Sequence, residues 1–297
     1  MESGDAITAA KIAIAAAFLC YASVLDWKTR KVPNAIWIVL TAVALILLPV
    51  QILADEQDLE FLLVIIPIIA ILSDVYWDAP GDGTAARMVP YIKYAIALLS
   101  LVALGLILPW DTYGQHLLGV PVMMLAIVVM YMLDIIRGGA DAKALLALSV
   151  LFPFHPSLGD FPLIRGDTDA AEILLPFAFV ILVNAAIIVA LTPLGFLTRN
   201  LRAGDSRFPQ MFLGYRMDIN DVEHKHVWLM EKMQEGRHVL SARPQRDEDL
   251  KQNIEELVKA GHARVWVTPK IPFIIPITMS LVLSVLLGNI LLLFFPI

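Results

Sequence analysis

Residues 35–54 read AIWIVLTAVALILLPVQILA, an apolar run that contains no charged side chain. Its length matches the roughly 20 residues that an α-helix needs to cross the hydrocarbon core of a bilayer. Hydrophobic residues make up 59% of the chain and charged residues only 17%, which excludes the large soluble-enzyme folds. Other long apolar runs lie at 6–25, 59–77, 91–109, 116–136, 173–197 and 271–295. The sequence therefore indicates an all-α polytopic membrane protein.

A shorter apolar stretch at 141–154 is not long enough by itself to identify a span. Whether it crosses the membrane is therefore inferred from the distribution of Lys and Arg among the loops. If the N-terminus lies outside, the loops after the first, third and fifth runs are cytoplasmic, and the opposite loops contain only Arg165. The cytoplasmic loops then contain Lys28, Arg30, Lys31, Arg87, Arg137 and Lys143. The 198–270 region carries thirteen Lys and Arg, and it lies on the same side only if 141–154 also crosses. We therefore predict about eight transmembrane helices with both termini outside.

Three regions follow from this count. Residues 1–197 form a transmembrane domain of seven spans, residues 198–270 form a small cytoplasmic α+β domain, and residues 271–297 contain the final span. The middle region carries thirteen basic and eleven acidic residues with little sustained hydrophobicity. It is the only region whose composition fits a soluble domain.

Local patterns predict the elements of this small domain. A helix is expected over 221–235, a second helix over 247–260, and a strand at 263–268, where ARVWVT alternates between the two faces. The apolar side of the first helix would consist of Val222, His226, Leu229, Met230 and Met233.

Two acidic residues near span ends are candidates for chemistry, because ionisable groups at membrane depth are costly. Asp26 opens the segment DWKTRKVPN after the first span, and Asp141 lies in RGGADAK after the fifth. Asp26 follows one predicted crossing and Asp141 follows five. Both numbers are odd, so the two residues lie on the same membrane face and can meet there. Gly138 and Gly139 permit backbone angles that other residues cannot adopt, so the chain can break between the fifth span and the next helix, with Asp141 in the first turn of that helix.

Two carboxyl groups in a poorly hydrated site share one proton, so that one serves as an acid and the other as a base. Such a pair can activate a water molecule against a peptide carbonyl and later protonate the leaving amine. The pair titrates as a unit, so neither residue is assigned a single role. Asp74 and Asp134, at other span ends, are interpreted as helix-end or loop residues outside the site.

DWKTRKVPN followed by GGADAK resembles the archaeal preflagellin and prepilin peptidases, membrane aspartic proteases of the type IV prepilin peptidase family. The endings VTPKIPFIIPI (267–277) and FLGYR (212–216) resemble archaeal members with a cytoplasmic domain before the last span. The resemblance implies that Asp26 and Asp141 are the catalytic pair. The residues that support them in the two motifs are Arg30, Pro33, Asn34, Gly138, Gly139, Ala140 and Lys143.

The chain departs from the family pattern at three points. Ala140 stands where a strict GxGD motif has its second glycine, and the runs within 59–109 look like an added helical pair between the two aspartates. The family members that also methylate the new N-terminus carry a cytoplasmic CxxC zinc region. Cys20 is the single cysteine of this chain, so methyl transfer is not predicted.

The resemblance implies an endopeptidase of the cell membrane that removes short basic leaders from archaellin or pilin precursors at the cytoplasmic face. Lys143 is interpreted as a lipid-headgroup anchor. Neither a cofactor nor a nucleic-acid partner is expected. A metal site is not expected either, because a helix would place the rings of His224 and His226 on different faces.

Two other functions remain open. Presenilin and signal-peptide-peptidase proteases also use paired membrane aspartates, but the PAL tripeptide expected there is missing from this chain. A transporter or assembly-platform protein could use membrane aspartates to relay protons or bind a partner.

Overall fold

The computed structural model describes residues 3–77, 84–164, 169–234, 236–241 and 250–294. The chain divides into two compact units. The first contains Met1–Ala186 and Pro272–Ile297, and the second contains Ile187–Ile271.

The first unit is helical. Its α-helices are α1 (Ser3–Thr29), α2 (Asn34–Ala54), α3 (Ile65–Tyr76), α4 (Thr84–Ile107), α5 (Thr112–Met132), α6 (Gly139–Leu151), α7 (Asp169–Leu174) and α8 (Phe177–Ala190), followed after the second unit by α12 (Ile274–Leu286). Short 3₁₀ turns cover Leu59–Val64 and Ile290–Leu293.

Within the described ranges, six helical stretches are long and apolar enough to cross a membrane. They are Asp5–Thr29, Asn34–Ala54, Leu59–Tyr76, Arg87–Ile107, Thr112–Met132 and Phe177–Ala203. Their outer surfaces expose large apolar side chains, for example Leu99 and Leu106 of α4, as expected for helices in contact with lipid. The protein is therefore mostly helical, and its helices fit a multi-pass membrane protein.

The other two predicted spans are short helices. α6 and α12 have 13 residues each, and a helix of that length extends about 20 Å against about 30 Å for the hydrocarbon core. The count of about eight crossings therefore stays a prediction.

α6 lies at the centre of the first unit. Every residue from Ala144 to Leu151 is buried, and the helix packs most extensively against α2 and then against α5. A helix that is apolar on all sides is stable only when it is surrounded by other elements. This central position holds the start of α6, and with it Asp141, between neighbouring helices.

The irregular chain after α6 is bonded to the end of α12. The backbone N–H groups of Leu163 and Ile164 donate to the carbonyl oxygens of Leu286 and Leu287 at 3.0 and 2.8 Å. The last carbonyl groups of a helix have no partner within the helix, so this segment supplies two of the missing donors.

The second unit combines helices with two small antiparallel sheets. Its elements are α9 (Thr192–Ala203), α10 (Gln210–Leu213), β1 (Tyr215–Asp218), a 3₁₀ turn (Ile219–His224), β2 (Val227–Leu229), β3 (Glu231–Gln234), β4 (Arg237–Leu240), α11 (Leu250–Lys259) and β5 (Arg264–Pro269). One sheet has the strand order β1-β5-β2, and the other pairs β3 with β4. The small apolar core consists of Met217, Ile219, Val222, Val227, Leu229, Leu257, Val265 and Val267.

The helix predicted over 221–235 is wrong. This segment contains the end of the 3₁₀ turn, then β2 and β3. Burial alternates along β2, with Val227 and Leu229 buried and Trp228 between them in the sequence half-buried. This period of two is that of a strand, and β2 pairs with β5. The helix predicted over 247–260 is confirmed as α11, and the strand predicted at 263–268 is confirmed as β5.

Candidate active site

Asp26 lies in the last turn of α1. The helix ends at Arg30, whose φ of 56° is in the left-handed region that few non-glycine residues adopt. The backbone N–H of Arg30 donates to the carbonyl oxygen of Asp26 at 3.0 Å, and the Arg30 guanidinium attracts the Asp26 carboxylate. Asp26 itself is half-buried. This turn places the acidic group beside a fixed positive charge at the end of the helix.

Asp141 lies in the first turn of α6, after the N-cap residue Gly138. Only 9% of the residue is exposed. The first turn of a helix has backbone N–H groups without partners in the helix, and it favours a negative charge. Ala140 precedes Asp141 and packs, partly buried, against the main apolar core.

Gly138 is needed for space and not for an unusual backbone angle. Its φ of −91° is accessible to any residue, and Gly139 is not among the described glycines with positive φ, which corrects the backbone argument made from the sequence. A Cβ added at Gly138 would overlap the carboxyl group of Asp141. A Cβ at Gly139 would only touch the Tyr131 hydroxyl at 3.5 Å. Gly138 therefore leaves the space that the Asp141 carboxyl group occupies, whereas Gly139 is under no such restriction.

The two predicted aspartates lie close enough to interact. Asp141 lies within electrostatic range of Asp26, and α6 contacts both α1 and α2. The structure thus places two acidic groups from different helices near each other, one half-buried and one buried.

Lys143 joins the two motifs. Its Nζ donates a hydrogen bond to Oδ1 of Asn34 at 2.8 Å and lies 5.8 Å from the centroid of the Tyr76 ring, within cation–π range. Asn34 is the first residue of α2, and Pro33 is its N-cap. The ammonium group of Lys143 therefore contacts protein, and its interpretation as a headgroup anchor stays a prediction. Sequence spacing cannot show this contact, since the two residues are 109 positions apart.

The other acidic candidates lie in different elements from the pair. Asp134 is exposed in the turn after α5, with a φ of 56°. Asp74 lies in α3 near the Tyr94 hydroxyl and lines a cavity of about 570 Å³ together with Gly139 and Lys143. Asp141 is not among the residues that line this cavity.

The His224 and His226 side chains are both exposed. Neither belongs to a group of metal-binding side chains in the described part of the chain. A different set, Glu231 with His238 and His262, does form such a group in the second unit.

The chain resembles known proteins over most of its length. Residues 206–290 match the family model for the archaeal peptidase A24 C-terminus, type II. An uncharacterized protein of Methanocaldococcus jannaschii is 24% identical over 271 residues, which cover 89% of this chain and 87% of that protein. A preflagellin peptidase of Methanococcus maripaludis is 26% identical over 162 residues, which cover 51% of this chain and 64% of that peptidase. The predicted resemblance to archaeal preflagellin and prepilin peptidases is confirmed.

Proposed function

We propose that this chain, as a relative of the archaeal preflagellin and prepilin peptidases, is a membrane aspartic endopeptidase with Asp26 and Asp141 as its catalytic pair. The observation that carries the proposal is the placement of Asp141. It is a buried carboxyl group at the start of a buried helix, and the charge of a second carboxyl group acts on it. Burying an ionisable carboxyl group near a second one costs free energy, and groups buried at such a cost are typical of functional sites.

The chemistry follows from two carboxyl groups that hold one proton between them. The ionised member takes a proton from a water molecule as that water attacks the scissile carbonyl carbon. The protonated member donates to the carbonyl oxygen, and a proton then passes to the leaving amine as the C–N bond breaks. Arg30 attracts the Asp26 carboxylate, but the pair titrates as a unit, so neither residue is assigned the acid or the base role.

The proposed substrates are archaellin-like or pilin-like precursors with a short basic leader before an apolar helix. One relative is a preflagellin peptidase by name, and the family model describes a peptidase. The carboxylate charge of the pair would attract a basic leader. We place cleavage at the cytoplasmic face, because the 26–34 segment and the 198–270 region carry most of the Lys and Arg of the chain.

We propose that the second unit binds or positions the precursor and supplies no catalytic group. Its acidic and basic side chains form ion pairs on the surface, such as Lys225 with Asp221 at 2.9 Å. These pairs are typical of a solvated face.

One observation favours the transporter or platform alternative. Lys11 is only 3% exposed inside α1, and an ionisable residue at membrane depth is a functional candidate. Its ammonium group, however, donates to Oε1 of Gln51 and lies within reach of the Asp55 charge. This set of contacts ties α1 to α2 and needs no transported ion.

The deciding experiment is cleavage of a purified archaellin precursor by the purified full chain in liposomes. Mass spectrometry of the products should show a single cut between the basic leader and the apolar segment. If the precursor stays intact while the protein is folded and inserted, the peptidase proposal fails and the platform alternative takes its place.

A further inference from the structure

Three side chains of the second unit come together where β3, β4 and β5 begin or end. Glu231 opens β3 and pairs with Leu240 of β4. His238 is two residues before Leu240, so its side chain lies on the same face of the hairpin as Glu231, on the diagonal. His262 follows Gly261, whose φ of 84° marks a left-handed turn before β5.

The polar atoms of these residues converge. Nε2 of His238 lies 2.8 Å from Oε2 of Glu231, and the rings of His238 and His262 stack with centroids 4.2 Å apart. One ligand atom from each of the three side chains can be chosen so that all lie within 4.8 Å of one another. Within the described residues this is the one group of three or more such side chains with that spacing.

The side chain of Glu231 is buried and held by a hydrogen bond to the backbone. The residue is 4% exposed, and its Oε1 accepts a hydrogen bond from the backbone N–H of Trp266 at 2.7 Å. A buried carboxylate is costly unless its oxygens have partners, so this bond fixes one oxygen and turns the other toward the histidines. Groups that orient a ligand in this way are typical of metal sites.

We propose that Glu231, His238 and His262 bind a divalent transition-metal ion, with zinc the best match. Two imidazoles and one carboxylate form a ligand set that zinc accepts, and three protein ligands leave one position for water. Ligand atoms on one zinc ion lie about 3.3 Å apart, so the rings have to move closer by about 1.5 Å at most. His238 is exposed and His262 is partly exposed, and the one side-chain hydrogen bond described for either ring is the His238–Glu231 contact, so few contacts oppose a small rotation of the rings.

The surroundings admit an ion. A cavity of about 540 Å³ reaches the three residues, so solvent has access to them. Three arginines also line it, namely Arg207, Arg216 and Arg264, and Asp205 contacts Arg216 and Arg264 at 3.5 Å. The positive charge of these two arginines is therefore partly neutralised before it reaches the ligands.

A bound ion would join the β3–β4 hairpin to the turn that precedes β5. These elements come from separate parts of the chain, and a ligand that binds only the folded state stabilises it by mass action. We therefore expect the metal to stabilise the second unit, which differs from the absence of a metal site predicted from the sequence.

The test uses the tag-free full chain in detergent, stripped with EDTA and titrated with Zn²⁺ by calorimetry. We expect one bound equivalent, and we expect His238→Ala, His262→Ala and Glu231→Gln each to weaken binding at least about tenfold. The matched control replaces His224 and His226 together with alanine, which removes two exposed imidazoles and should leave binding unchanged.

Two results would overturn the proposal. One is less than a fifth of an equivalent bound by the unmodified chain, and the other is equal loss of binding in the control and in the three variants. Circular dichroism identifies a variant that fails to fold, and His262→Ala decides in that case because its side chain is partly exposed. The metal readout does not depend on leader cleavage, so this proposal and the peptidase proposal can fail separately.

Discussion

The ammonium group of Lys143 donates a hydrogen bond to the side-chain carbonyl of Asn34 at 2.8 Å. Asn34 opens α2 directly after the segment that begins with Asp26, and Lys143 lies two residues after Asp141. This one contact therefore ties together the two chain segments that carry the proposed catalytic pair. If Asp26 and Asp141 are the catalytic pair, we expect Lys143 to act as a positioning residue, through the helices that hold them.

Replacing Lys143 with methionine keeps the length of the side chain and removes the donor. We expect kcat for leader cleavage to fall about tenfold, the size of a lost hydrogen bond from a charged group, while KM changes little. Asn34→Ala should give a similar loss, and the double variant should be no worse than either single one. Lys93→Met is the matched control, because Lys93 bonds the backbone oxygen of Ser73 and lies in neither motif. Additive losses in the double variant would show that the two residues act independently.

The central prediction concerns Asp26→Asn and Asp141→Asn. Asparagine keeps the shape of the side chain and cannot ionise, so each variant should lose nearly all leader cleavage while remaining inserted and folded. Because the two groups act as a unit, the double variant should be scarcely less active than either single variant. The measurement is cleavage of a purified precursor, with thermal stability recorded in parallel.

Asp74→Asn and Asp134→Asn serve as controls for the pair. Asp74 lies in a cavity wall and Asp134 in an exposed turn, so both variants should keep most of the activity. Full activity in either Asp26→Asn or Asp141→Asn would end the aspartic-protease proposal.

Gly138→Ala should impair cleavage much more than Gly139→Ala. The new methyl group at position 138 forces the Asp141 carboxyl group to move, and a displacement of about 1 Å can cost roughly 100-fold in rate. At position 139 the methyl group meets only ordinary contact with Tyr131. Steady-state kinetics of the two variants side by side tests this, and equal rates would mean that the position of the carboxyl group is not limiting.

The topology prediction can be checked by cysteine labelling in intact cells after Cys20→Ala removes the native thiol. A cysteine at Lys251, exposed on α11, should resist an impermeant maleimide because the second unit is predicted to be cytoplasmic. A cysteine at Asp58, exposed after α2, should be labelled. The reverse pattern would move the proposed site to the opposite face.

The glycine of the FLGYR segment has a structural explanation that predicts a loss of stability. A Cβ at Gly214 would overlap the backbone carbonyl of Val267 in β5 and come within 3.1 Å of the Met230 sulfur. Overpacking against backbone typically costs about 1–3 kcal/mol, so Gly214→Ala should lower the melting temperature. Gly195→Ala is the control, since its Cβ would meet nothing within 4 Å. An unchanged melting temperature for both variants would contradict this explanation.

The helical part of the fold could be predicted because bilayer thickness sets the length of an apolar run, as it does for 35–54. Asp26 and Asp141 could be selected because the predicted number of crossings puts both on one membrane face and because their flanking motifs resemble those of a known family. The contact between Lys143 and Asn34 could not be predicted, because it joins residues that are distant in sequence. The proposed metal ligands could not be predicted for the same reason. His224 and His226 were considered as ligands only because they are two positions apart in the sequence.

Segment 221–235 shows where a periodic pattern becomes ambiguous. Val222, Leu229 and Met233 satisfy helical spacing, while Val227 and Leu229 also satisfy a strand. Pairing with β5 decides between them, and β5 lies later in the chain. The residue pattern of one segment contains no information about a strand that pairs with it from elsewhere in the chain.

The bonds from Leu163 and Ile164 to the end of α12 bear on how the protein is made. Backbone groups in a bilayer need partners inside the protein, and here those partners arrive with the last of the described α-helices to leave the ribosome. Until then the backbone donors of Leu163 and Ile164 lack the partners that they have in the folded chain. We therefore expect the first unit to complete its folding late in biogenesis, and we expect a nascent chain stalled before α12 to lack leader cleavage.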